Sequence, residues 1–421
     1  MSEAEEYLEN LQGLITFMYL KRNKVVSLYD INRLDQITLA NLQEEFKECK
    51  DEIFAWHRER DLATIDALEK VNIKHLKEAE KHLPKEEIEK QLIESSNYIK
   101  DLKTIQHSSR FQETLHYEII KPLYERIANA AEELGAKRPS NKIILASFRT
   151  QQVNAVAIKL KSSEEFIIGF ESQLFSFLNR FTKLISQSLP LNSFSNDNYN
   201  FSTKKEDVIA YVKDNSPIQT LFTGLILSYA VTGNVDTAND LILEYPQYIN
   251  ATYLLTAMEL FIMGHEYGHI VKGHLNKNPG QTLQLSNIDA EQMQRNWDQE
   301  YEADTLGLYF SIKASIKEGF QEDYDLIGAD LYFMLREIVA KSVSIIKYGD
   351  ENATKDSESH PAVKDRRDNL RKSYLKSFRN EQLVKAEYLP TALEDVLNYL
   401  WNETKPVLHH HYTIHKGKFK I

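Results

Sequence analysis

The 421-residue chain has a single cysteine, Cys49, so no internal disulfide can brace it. An oxidising compartment is not expected, and Cys49, alone in a charged helical stretch, reads as incidental. Long apolar runs are missing as well. The two longest, Leu221 to Val231 and Leu254 to Met263, fall short of the roughly 20 residues a membrane span needs. An excess of basic charge is absent: 51 Lys and Arg stand against 62 Asp and Glu, a net charge of −11 that argues against nucleic acid as a main partner. The tail from Lys416 to Ile421 is basic but too short to change that. With only 14 glycines there is little flexible linker, no glycine-rich phosphate loop and no tandem repeat. The acidic start, Met1 to Glu6, is unlike a signal peptide, so the cytoplasm is the expected location.

What the chain does contain is enough material for two domains. The first ~135 residues carry apolar side chains at three- and four-residue steps among mixed charges, for example over Ile65 to Leu76 and Ile88 to Ile93, and read as a helical region 1–135. Pro84 punctuates between two of its helices, and Gly135 to Asn141 reads as a linker. Packing as a hairpin or bundle on the remainder is the plain account of this region; an arm for a substrate or partner is the other. Three β-rich runs follow at 143–148, 155–160 and 165–170. They predict a small antiparallel sheet in a second region, 136–421, interrupted by a helical insertion at about 186–250 that opens with the polar loop Ser193 to Asn200. The fold class expected is α+β, predominantly α.

The most specific stretch is His265-Glu266-Tyr267-Gly268-His269. It continues the helical spacing of Leu254, Ala257, Met258, Phe261 and Ile262, so both histidines are expected to point inward from a buried helix. At ~100° per residue, positions four apart lie about 40° apart on one face, and two imidazoles can then grip one metal ion. Glu266 falls beside that ion without binding it, where a general base can take a proton from a water acidified by zinc. The bland alternative is a pair of core histidines satisfied by hydrogen bonds, costly without a metal.

A catalytic zinc needs a third protein ligand and an open position. Glu300 and Asp304 lie four apart in a helical stretch, whereas Glu302 is turned roughly 200° from Glu300. Glu300 is therefore the expected ligand, with Asp304 accepting the Nδ1 proton of one zinc histidine. Taken in isolation, these residues read better as a solvated acidic face. A third element runs from Ser359 to Leu370: Pro361 suits the first turn of a helix, leaving His360 on a loop and Arg366 six residues further on. His274, about 140° around the helix from His269, reads as a polar terminus residue outside the site. His409, His410, His411 and His415 read as a surface segment, not a second metal site.

In combination, HExxH, ExxAD and HPxxxxR occur in that order at His265/Glu266/His269, Glu300/Ala303/Asp304 and His360/Pro361/Arg366. The chain in this respect resembles the gluzincin metallopeptidases of the CAAX prenyl protease and HtpX heat-shock protease family. Asn154-Ala155 with the run Phe166 to Phe170, and Gly273-His274 after the HExxH, resemble that family too, over roughly Lys142 to Leu370. The resemblance implies a zincin-like catalytic domain with its sheet beside the HExxH helix, one catalytic zinc, and a protein or peptide substrate. Glu266 would be the base and Glu300 the third ligand, with His360 and Arg366 near metal or substrate. His360 would donate to the oxyanion or cap the open zinc position, and Arg366 would anchor its loop to a carboxylate such as Asp304 or bind substrate carbonyls. Membrane-spanning helices, carried by many members of that family, are not expected here. The competing expectation is a metal-bearing protein that binds a partner, its proteolysis vestigial or latched.

Overall fold

The computed structural model describes residues 2–22, 31, 34–79, 84–107, 109–150, 152–160, 163–195, 198–202, 204–239, 241–277, 282–285, 288–292, 297–317, 322–353, 361–375 and 381–415. In chain order the elements are α1 (Glu3–Arg22), α2 (Gln36–Ala79), α3 (Lys85–Leu102), α4 (Thr114–Glu133), β1 (Ile143–Phe148), β2 (Ala155–Leu160), β3 (Phe166–Glu171) and α5 (Ser172–Gln187). Then come β4 (Leu191–Ser195), β5 (Asn198–Phe201), α6 (Lys205–Asp214), α7 (Ser216–Thr232), α8 (Tyr245–Val271), α9 (His274–Lys277), β6 (Thr282–Leu285) and β7 (Ile288–Gln292). The chain closes with α10 (Trp297–Ile316), α11 (Glu322–Tyr348), α12 (Val363–Leu375) and α13 (Glu381–His415). Helix dominates and strands are few, as an α-rich α+β protein requires. Among the described residues, no helix is long and apolar enough to cross a membrane.

Two compact units are formed, neither from one continuous stretch: Met1–Glu125, Arg138–Phe175 and His269–Gln294 make the first, Arg126–Lys137, Ser176–Gly268 and Arg295–Ile421 the second. In the first, α1 is buried over most of its length, with Tyr7, Leu8, Leu11, Leu14, Ile15 and Met18 in the core and Glu9, Gln12 and Thr16 buried beside them. Its core is shared with Leu42, Phe46 and Ile53 of α2 and with Ile144, Phe148, Val156, Ile158 and Ile167 of the strands. α2 and α3 run antiparallel, tied by Asn72 to Ser95 at 3.3 Å and by Lys103 to Asp66 at 2.7 Å.

The sheet has the order β1-β3-β2-β7-β6 and is mixed, which corrects the antiparallel sheet expected from sequence. β2 and β3 pair antiparallel, Ala155 opposite Phe170, but β1 lies on the far side of β3 and runs parallel to it, Ile143 opposite Phe166. The reason is connectivity: β2 reverses the direction of β1, β3 reverses it again, and β3 is the strand inserted between them. All three are buried on both faces, which is why they read as continuous apolar runs and not as alternation. β7 pairs with the outer edge of β2, Leu160 opposite Ala290, and β6 with β7. The polar stretch of the insertion, expected as a loop, is the hairpin β4–β5, with Phe194 opposite Tyr199.

In the second unit α8 is buried without a break from Ala257 to Gly268. Gly264 meets Gly307 of α10 so closely that a Cβ on Gly264 would lie 2.8 Å from the Gly307 carbonyl oxygen, and one on Gly307 would lie 2.8 Å from the His265 nitrogen. Only glycine permits backbones to approach this far. One turn on, Gly268 faces Ala303 and Leu306. Small residues thus set α10 directly on the histidine-bearing face of α8.

Candidate metal centre

His265 and His269 sit one turn apart on α8, and Glu300 on the first turn of α10. One ligand atom from each lies within 4.8 Å of the others, and all three residues are buried. His265 shows how its ring is used. Its Nδ1 is 2.9 Å from Asp304 Oδ1, so its Nε2 is turned the other way, 3.8 Å from Glu300 Oε2 and 3.9 Å from Glu266 Oε1. A carboxylate on Nδ1 holds the proton there and leaves Nε2 with its lone pair facing the cluster. Two imidazoles and a carboxylate converging in a buried space form a donor set that could hold a divalent metal ion.

Arg366 closes the arrangement from α12. Its Nε and Nη2 donate to the two oxygens of Asp304 at 2.8 and 2.5 Å, and its Nη1 lies 2.8 Å from Glu300 Oε2. The guanidinium also lies over the Phe333 ring, 5.2 Å from its centre. Arg366 thus meets Asp304, a carboxylate expected as its partner from sequence, and Glu300 as well. Burial works to raise the Asp304 carboxyl, but Arg366 and His265 outweigh burial and hold it below the ordinary carboxylate range. Burial likewise opposes the Arg366 charge, and Asp304 and Glu300 more than restore it. α12 is itself held in place one turn further along. Arg371 grips Asp330 of α11 at 2.6 and 2.5 Å, and Arg367 and Arg371 share Glu394 of α13 at 2.7 and 3.0 Å. Arg366 is thereby presented on a braced helix.

Six of the seven residues singled out from sequence, His265, Glu266, His269, Glu300, Asp304 and Arg366, meet in this one place. His360 lies outside the described residues. Glu302 is exposed on the opposite side of α10. His274 departs from expectation: it is 1 % exposed, and its Nδ1 lies 2.9 Å from His269 Nδ1. The helical phase that set it apart ends with α8 at Val271, because Gly273 takes φ +66° and turns the chain back. The C-terminal histidines lie on helix α13, with the His411 and His415 rings 4.4 Å apart. Among the described residues they belong to no group of three or more metal-ligating side chains.

Compared with known protein families, with curated proteins and with solved structures, the chain finds no match in any of the three.

Proposed function

We propose that the chain is a zinc-dependent endopeptidase of the gluzincin kind, acting on a protein or peptide substrate in the cytoplasm. The observation that carries the reading is the convergence of His265, His269 and Glu300 with the Glu266 carboxylate at its edge, 3.9 Å from His265 Nε2. A purely structural zinc would fill its fourth position with Cys or His and would have no use for a carboxylate there.

The residues divide the work by chemistry. His265, His269 and Glu300 would hold the ion, which supplies Lewis acidity and acidifies a water. Glu266 receives a proton from the attacking water and returns it to the leaving amine. Asp304, its charge maintained by Arg366, keeps His265 in the tautomer and orientation that present Nε2. Arg366, engaged by two carboxylates, offsets their paired negative charge, which would otherwise repel itself across α10. His360 would either donate to the oxyanion that forms on the attacked carbonyl or cap the open metal position in a resting state.

The test is cleavage of unstructured protein by the purified chain, with and without chelator, alongside Glu266→Gln. Cleavage that chelator removes, and that Glu266→Gln abolishes while one zinc stays bound per chain, supports the proposal. A Glu266→Gln protein with near wild-type turnover overturns the mechanism, and zinc without any cleavage favours a partner-binding protein.

A further inference from the structure

After His269 the helix α8 runs on to Val271 and stops. The Gly273 N–H donates to the Ile270 carbonyl at 3.0 Å, and Gly273 itself takes φ +66°, the left-handed region that side chains rarely enter. That turn brings His274 back under the helix it has just left. Both rings are then fully enclosed: His269 is 0 % and His274 1 % exposed, their centroids are 5.1 Å apart, and Nδ1 lies 2.9 Å from Nδ1.

Two imidazole nitrogens at that distance need one proton between them, so one donates and the other accepts. Binding a metal settles which. His269 spends Nδ1 on His274, so Nε2 is the nitrogen it can offer to the ion. A neutral ring that binds through Nε2 carries its proton on Nδ1. His269 then donates, and His274 accepts through a bare Nδ1 and keeps its own proton on Nε2.

Resting on the reading of this cluster as a metal centre, we infer that His274 is a positioning residue for it: its Nδ1 accepts the His269 Nδ1 proton and fixes the tautomer and ring angle at which His269 Nε2 meets the ion. The two metal histidines are therefore supported by unlike partners. His265 leans on a carboxylate, Asp304, whose charge Arg366 balances, while His269 leans on a neutral ring. A second carboxylate behind His269 would add another buried anion to a site that already holds Glu266, Glu300 and Asp304 beside the guanidinium of Arg366. A neutral acceptor orients the ring without that cost.

The experiment measures zinc affinity of the full-length chain by competition with a chromophoric chelator, for wild type, His274→Leu and His274→Gln. His274→Leu is expected to weaken zinc binding by about 10- to 100-fold, the usual effect of losing a hydrogen bond behind a metal ligand. His274→Gln, whose amide oxygen can accept from Nδ1, is expected to recover most of that loss; a merely structural contact would not be rescued by an acceptor. In the zinc-loaded wild type, ¹⁵N spectra of the histidines should show His269 protonated on Nδ1. That measurement stands even if the Leu variant does not fold. Equal affinity in wild type and His274→Leu, or a bare His269 Nδ1, overturns the positioning role alone. A wild type that takes up no zinc overturns the metal centre and this inference together.

Discussion

Two clusters of histidine, carboxylate and arginine are buried in the protein, one around Asp61 and Glu113 and one around α8 and α10, and they come to different ends. In the first unit, Asp61 spends its oxygens on the Thr114 N–H at 2.9 Å, the Thr114 hydroxyl at 2.7 Å and Arg58 at 3.2 Å. Glu113 accepts from Arg149 at 2.5 Å and from His116 Nδ1 at 3.0 Å. Burial works to raise the Glu113 carboxyl, yet Arg149 and His116 hold it well below the usual range. His57 nearby is kept below its ordinary value by burial. Every carboxylate oxygen of this cluster is aimed at its own donor. At α8 and α10 the same residue types are held from behind, by Asp304, His274 and Arg366, so that ligand atoms are left converging on one point. Residue type alone does not separate a lock from a group that could hold a metal ion; the direction of the lone pairs does.

Removing one carboxylate from each cluster breaks the comparison most sharply. Glu300→Ala should lower zinc from near one equivalent per chain to near none, because two imidazoles on one helix face do not close a site. Glu302→Ala, altering a side chain exposed two residues away, should leave zinc unchanged. Metal analysis of the two purified variants decides it, and the reverse pattern would move the ligand from one glutamate to the other.

Glu113→Ala should do the opposite. It leaves Arg149 and His116 facing an empty buried position and should cost about 3–5 kcal/mol of stability with zinc content intact. The sign with pH follows from the depressed carboxyl: the stabilisation by Glu113 is complete above the unfolded value, about 4.3, and is lost as pH falls below it. Denaturant melts of wild type and variant should therefore converge in acid. Loss of zinc from Glu113→Ala would show that the two clusters are one system.

The helical phase of α8 and α10 was open to reading because 3.6-residue periodicity is local: Leu254 to His269 and Glu300 to Asp304 each carry it within a few turns. The approach of the two helices is less visible, since Gly264, Gly268 and Gly307 read singly as weak helix formers and Ala303 as an ordinary helical residue. Paired across a contact they are what allows backbone to touch backbone. His274 falls outside the site only if the phase of α8 is extended past its end, and the glycine directly before it is the sign of a stop. The parallel pairing of β1 with β3 had no local signal at all, because the direction of a strand's neighbour depends on which strand is inserted beside it. The bracing of α12 by Asp330 and Glu394 was hidden in the same way, its partners lying 41 and 23 residues from Arg371.

A third buried carboxylate sharpens the comparison with the smallest effect. Glu259 lies on α8 itself, buried, where desolvation pushes its carboxyl up to about 8 and the positive charge of Arg126 works against burial without overcoming it. Among the described residues no close cation pair sustains the anion, so the folded protein keeps a proton that the unfolded chain releases near pH 4.3. A group raised on folding contributes most below its unfolded value, and that contribution is lost as pH rises through about 8. Glu259→Gln has nearly the same shape and no proton to lose. Wild-type stability should therefore fall relative to this variant steadily from pH 5 to pH 8.5, by a few degrees of Tm, because every other group titrates alike in both proteins and cancels in the difference. Thermal melts across that range, in chelator so that zinc does not contribute, read the slope directly. Parallel curves would mean that Glu259 is as well compensated as Glu113, and that burial on the metal helix does not by itself separate the two kinds of cluster.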